Sequence, residues 1–283
     1  MKNFRLNRIF NEKSGRFLGV ALEEAFFADR DMLSALDGVR SILSEGVDAL
    51  QVTESQVLMV QAAPGIVRRP IILEVEDFEH PTKGPRMDLL ELALRLDVAC
   101  LVVKLNTVSR VSSAVFPESG SIRRFKDACD RFGMPVMIEV PAFPEGSLRM
   151  VERNLLLVQH AVELGADVIR TNIPLGLERY SRLIEAAEGI PVVASANEVA
   201  PPGAIVRWAE TLIAQGVSGV VLDSEIIASP RATSLMRSML EVVHCQEDLS
   251  GEGKPHSAPP VGAGKRRAPA ESRRGSVSNI RPN

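Results

Sequence analysis

Five acidic side chains, two basic ones and a set of neutral polar groups fall at corresponding places in eight short apolar runs of this 283-residue sequence. The acids are Glu23, Glu74, Glu76, Glu139 and Asp223, and the bases are Lys104 and Arg170. The neutral groups are Gln51, Thr53, Asn106, Asn172, Ser195 and Asn197. Most stand in the same two-residue phase as an apolar residue deeper in the run: Ile72, Val102, Met137, Val168, Val193 or Val221. A period of two places such residues on one face of a strand, so each run carries an apolar bottom and a polar top on that face. Three chemistries suit the set. Crowded carboxylates raise one another's pKa and suit general acid/base work. Glu74, Glu139 and Asp223 could equally serve as hard oxygen ligands for Mg²⁺. Glu139 and Glu74 could also simply neutralise Arg170 and Lys104 as ion pairs.

The elements that must hold these groups are eight strands: 17–24, 49–53, 70–76, 99–105, 135–141, 166–172, 191–197 and 219–224. From Phe17 to Gly219 the strand starts advance by about 29 residues per step, the length of a βα unit. Between them lie stretches of helical apolar spacing, clearest at Met87–Leu96 and Leu148–Leu164. Gly165 and Gly216 mark helix ends, with Gly46 and Gly133 as weaker stops. Near-continuously apolar strands alternating with helices imply a parallel sheet with a covered outer face, and eight units close into a single (β/α)8 TIM barrel. An open doubly wound sheet is disfavoured, because no Gly-x-Gly-x-x-Gly follows the first strand. The polar ends of the strands then form the barrel mouth, and Met1–Arg16 is expected to cover the bottom.

Composition narrows the function classes. The net charge of −3 is the sum of an acidic body, residues 1–244 at −6, and a tail, 245–283, at +3. The tail has no apolar period and is rich in Pro, Gly and Ser, so it is expected to be disordered. An acidic body excludes a strongly basic nucleic-acid-binding domain, leaving at most weak contact through the tail. Three scattered cysteines, no long apolar run and no apolar leader suggest a reduced cytoplasmic protein with no membrane segment. The four histidines include no His-x-His and none at a strand end, which argues against a zinc hydrolase. His160 and His244 on helices, the buried mid-strand thiol of Cys100, and the single Trp208 and Tyr180 read as packing residues.

Four segments, RLNRIFNEKSGRFLGVALEE, GMPVMIEVPAFPEG, VQHAVELGADVIRTNIP and GIPVVASANE, occur in an order that resembles the archaeal-type class I fructose-bisphosphate aldolases and their deoxyribose-phosphate and tagatose-bisphosphate aldolase-like relatives. The similarity spans about residues 5–244. It implies a (β/α)8 fold, a homo-oligomer, and carbon–carbon bond cleavage or formation on a small carbonyl compound. It also places Arg170 where the family carries its imine-forming lysine, and a guanidinium cannot form an imine. Glu23-Glu24 stands where the family has an Asp-His pair, and the family's tyrosine after the fifth strand falls near Pro141. Ser195-Ala196-Asn197 and Asp223-Ser224 replace its phosphate-binding turns.

The expected function is therefore an aldolase-like lyase without the usual Schiff base and without a cofactor. Arg170, Glu139, Lys104 and Glu23 are its catalytic candidates. Glu74, Asn106, Asn172, Ser195, Asn197 and Asp223 are expected to bind substrate. The alternatives are a Mg²⁺-assisted lyase using Glu74, Glu139 and Asp223, and a non-catalytic barrel with a binding or assembly role.

Overall fold

A computed structural model describes residues 1–22, 32–63, 69–76, 78–80, 84–105, 119–140, 148–172, 180–196, 201–224, 229 and 231–244. Eight parallel strands close on themselves: β1 (Phe17–Ala21), β2 (Ala49–Thr53), β3 (Ile71–Val75), β4 (Cys100–Lys104), β5 (Val136–Val140), β6 (Val168–Asn172), β7 (Val192–Ala196) and β8 (Gly219–Leu222). Each strand pairs with its neighbours in sequence, and β1 pairs with β8 through Phe17 opposite Gly219. This is the TIM barrel that the run spacing implies. Between strands run α2 (Met32–Glu45), α3 (Glu54–Ala62), α4 (Met87–Arg95), α5 (Ser119–Arg131), α6 (Leu148–Glu163), α7 (Ser181–Ala186), α8 (Pro202–Ala214) and finally α9 (Ala232–His244), while α1 (Lys2–Leu6) precedes β1. A short antiparallel pair, Glu79–His80 with Gly84–Pro85, interrupts the path from β3 to α4 and had no signature in the run spacing. Gly46, Gly133, Gly165 and Gly216 all have positive φ, which confirms them as the points where helices stop.

Alternation along each strand builds two separate cores. Outward residues pack against the helices, where Trp208 and Tyr180 are buried. Inward residues fill the barrel: Phe17, Ala21, Ala49, Ile72, Cys100, Val102, Met137, Val168, Val193 and Val221. Leu6 and Ile9 join this inner cluster from below, so the N-terminal segment covers the barrel bottom as expected. Lys2 fastens it by ion pairs to Asp130 and Asp167. Burial works against the Lys2 charge, but hydrogen bonds to those two carboxylates outweigh it and raise its pKa. The last helix is fastened at the same end. The Ser14 hydroxyl lies 2.8 Å from His244 Nδ1, and His244 Nε2 lies 3.1 Å from Asp48 Oδ2.

Where β1 meets β8, the floor of the barrel has no spare volume. A Cβ on Gly219 would stand 2.4 Å from the Phe17 carbonyl oxygen and 2.7 Å from Phe17 Cβ, which move only if β1 and β8 part. Gly219→Ala should therefore cost about 2–3 kcal/mol by overpacking. That corresponds to a fall of roughly 4–12 °C in melting temperature. An unchanged melting temperature would show that the barrel floor relaxes freely.

Candidate active site

Above the apolar floor the inward residues turn polar at one level. Arg170, at the middle of β6, is buried in the barrel centre. Its Nε donates to Ser195 Oγ (3.1 Å), Nη1 to Gln51 Oε1 (2.7 Å) and Nη2 to Asp223 Oδ1 (2.8 Å). Nη1 also lies 3.5 Å from Glu139 Oε2. Three strands and the residue directly after β8 thus converge on one guanidinium.

Gln51 extends the set across the barrel. Because Arg170 only donates, the Gln51 amide must turn its oxygen toward it, leaving the NH₂ to donate to Glu74 Oε2 at 2.8 Å. Glu74 Oε1 in turn lies 2.5 Å from Lys104 Nζ. Hydrogen bonding therefore links Asp223, Arg170, Gln51, Glu74 and Lys104 from β8 to β4. Arg170 and Asp223 are almost wholly enclosed, whereas the Lys104 side chain is 51% exposed and Glu74 is 8% exposed. Burial acts to lower the Lys104 pKa. The Glu74 hydrogen bond and the charges of Glu74 and Glu139 outweigh it, against the opposing charge of Arg170, and leave that pKa raised.

Glu139 differs from the other two carboxylates. Its Oε2 is buried and accepts no hydrogen bond among the described residues, although Arg170 stands near it. Beside Glu74 the mouth opens into a cavity of about 380 Å³, with Thr53, Glu76, Arg86 and Leu89 on its wall. Thr53 is occupied with starting α3, its N–H donating to Gln56 Oε1 at 3.1 Å.

The structure thus gathers Arg170, Glu139, Lys104, Glu74, Ser195 and Asp223 into one network. Glu23, Asn106 and Asn197 lie outside the described residues, and of Asn172 only the backbone is described. Gln51 carries more than its spacing announced: the sequence shows that it faces inward but not that it joins two charged groups. The carboxylates proposed for Mg²⁺ are spread around Arg170 and Lys104, and among the described residues no three His, Cys, Asp or Glu side chains form a metal-holding group. Cys100 is a poor nucleophile, since burial pushes its pKa well up, and burial likewise lifts Cys129 to about 12.

A family model described as DeoC/LacD family aldolase matches residues 18–222, from β1 to the end of β8. The chain belongs to the DeoC/LacD aldolase family. Two relatives of this aldolase-family barrel are 3-hydroxy-5-phosphonooxypentane-2,4-dione thiolases. That of Escherichia coli (strain K12) is 27% identical over 253 residues, covering 86% of this chain and 82% of its own. That of Shigella flexneri is 26% identical over 253 residues, covering 86% and 93%. Among solved structures, an archaeal fructose-1,6-bisphosphate aldolase whose catalytic Lys is covalently bound to the carbinolamine intermediate of the substrate superposes with a TM-score of 0.66. It has 18% identity and covers 87% of this chain and all of its own. The fructose-bisphosphate aldolase of Slackia heliotrinireducens gives 0.61 at 14% identity, with 83% of each chain covered. Among the described residues of the DeoC/LacD barrel, no helix is long and apolar enough to cross a membrane.

Proposed function

We propose that this DeoC/LacD barrel is a lyase that makes or breaks a carbon–carbon bond in a small polyhydroxy or oxo carbonyl compound without a Schiff base on β6. The observation that carries this reading is Glu139 Oε2, a carboxylate oxygen that accepts no hydrogen bond among the described residues, beside two fixed cations. A carboxylate with spare capacity can take the hydroxyl proton of a β-hydroxy carbonyl compound as the bond between its α and β carbons breaks. The electron pair then collects on the carbonyl oxygen as an enolate, which the Lys104 ammonium and the Arg170 guanidinium stabilise. Returning that proton to the enolate carbon releases the second product and restores the carboxylate.

The charge balance suggests the substrate class. Glu74, Glu139 and Asp223 exceed Lys104 and Arg170 by one, and Glu54 and Glu76 exceed Arg86 on the cavity wall. That field favours an uncharged carbonyl compound over the phosphorylated one named for the thiolase relatives.

Glu139→Gln should lower turnover of a responsive hydroxy-carbonyl substrate by about 10²–10⁴-fold, the range for a lost proton-transfer group. Borohydride should trap no adduct on the wild-type chain, and an adduct on Lys104 would overturn the imine-free reading. Activity lost on chelation and restored by Mg²⁺ would select the metal-assisted lyase instead. Enclosure of Arg170 by its own partners also suits a barrel that binds or assembles without turnover. Absence of turnover across aldol and ketol substrates selects that reading.

Glu74→Gln supplies a pH test. It removes the hydrogen bond and charge that raise the Lys104 pKa, and leaves in place the burial that lowers it. The neutral amine then appears at lower pH, so acylation of Lys104, read by peptide mapping, should begin at lower pH than in the wild type. An unmoved onset would show that Glu74 does not control Lys104.

A further inference from the structure

A second cavity, of about 480 Å³, lies at the opposite end of the barrel, beneath β2 and β3. Three arginines from separate elements line it: Arg8 after α1, Arg69 before β3 and Arg95 at the end of α4. Its volume lies in the range of small-ligand sites. We propose that it binds a phosphate monoester carrying a compact apolar group, independently of any reaction at the mouth.

The charge in this cavity is only partly answered. Asp97 is the one carboxylate among the described residues of its lining, and it accepts from Arg8 Nη1 at 2.9 Å and from Arg5 Nη1 at 3.4 Å. Arg69 and Arg95 pair with no carboxylate among the described residues. The Nε of Arg69 is buried without a hydrogen-bond acceptor among them, and its Nη2 reaches only the Leu43 carbonyl, at 3.5 Å. A contact of that length is at the outer limit of hydrogen bonding, and a buried guanidinium N–H without an acceptor is costly.

The carbonyl ends of α2, α3 and α4 face this part of the barrel and attract cations, which accounts for arginines collecting here. It does not satisfy the Arg69 Nε. A phosphate would, because two of its oxygens can accept side by side from the planar guanidinium fork. Two guanidinium groups paired with no carboxylate among the described residues match a phosphate monoester, which carries about −1.5 to −2 at pH 7. Leu50 and Ile71 give the cavity an apolar wall suited to the remainder of such a molecule. Leu50 also precedes Gln51 directly, so the cavity and the charged network touch the same strand.

The test titrates the full-length protein with phenyl phosphate by calorimetry. Saturable binding is expected, with inorganic phosphate at least tenfold weaker and affinity falling as pH drops below about 6 and the dianion is protonated. Arg69→Gln and Arg95→Gln should each weaken phenyl phosphate at least tenfold. Phenyl phosphate should also protect Arg69 and Arg95 from phenylglyoxal, read by mass mapping. Arg95 is exposed, so its variant keeps the test decisive if Arg69→Gln fails to fold. Absence of saturable binding, or affinity unchanged in Arg95→Gln, would overturn the proposal, the latter by placing the probe elsewhere on the chain. Inorganic phosphate binding as tightly as phenyl phosphate would overturn the apolar half of the assignment.

Discussion

Arg170→Met should destabilise the barrel by about 3–5 kcal/mol at neutral pH, the cost of removing one partner from a buried charge network. The substitution keeps most of the side-chain volume, so the loss reflects charge rather than a cavity. Asp223 and Glu139 would remain 5% and 9% exposed with no guanidinium beside them. In the variant the folded-state pKa of Asp223 should rise above the unfolded one, because its burial then acts without the guanidinium that opposed it. A folded-state carboxylate pKa that is raised makes stability fall as pH climbs from the unfolded value through the raised one. The difference between variant and wild type should thus be largest near pH 7 and shrink toward pH 4. Chemical denaturation at both pH values, together with Arg170→Met/Asp223→Asn, checks this. The double variant should recover part of the loss, and equal stability of all three proteins would show that the network contributes nothing to folding.

Arg170→Lys carries the largest chemical effect. The family resemblance places an imine-forming lysine at this position, and the superposed archaeal aldolase has a catalytic lysine bound to its substrate. The wild-type guanidinium should give no adduct with a small hydroxy-aldehyde or hydroxy-ketone and borohydride. The Arg170→Lys variant should trap one, mapped to residue 170. A lysine there would face Asp223 and Glu139 and be held protonated, so the yield should rise with pH and be low at pH 7. Adding Asp223→Asn should bring trapping to lower pH. If the single variant and this pair trap nothing at residue 170, the correspondence with the family's lysine is wrong.

The fold was legible because both levels of the pattern repeat. Apolar runs at even spacing set the strands, and glycines such as Gly165 and Gly216 set the helix ends, since only a residue at ease with positive φ stops a helix there. The alternation within β3 to β8 also fixed which residues fill the barrel: Ile72, Val102, Met137, Val168, Val193 and Val221 all do. The site was legible only by face. Spacing put Arg170, Glu139, Ser195 and Asp223 inside, but it cannot show that Arg170 reaches Gln51, which lies 119 positions away on a strand across the barrel. The arginine-lined cavity was not legible at all. Arg8, Arg69 and Arg95 share no period, and it is the packing of the N-terminal segment beneath β2 and β3 that brings them together.

The Gln51 amide has a consequence for how protons can travel. Protons move along hydrogen-bonded chains only through groups that can release one hydrogen while accepting another. A primary amide and a guanidinium do not do this near neutral pH. Each link of the chain runs from a donor to a carboxylate or an amide oxygen: Arg170 toward Asp223 and Gln51, Gln51 toward Glu74, and Lys104 toward Glu74. Gln51 therefore acts as an insulator. The Glu74–Lys104 half exchanges protons with solvent through the exposed lysine, and a proton taken by Glu139 has no relay through this chain to that half.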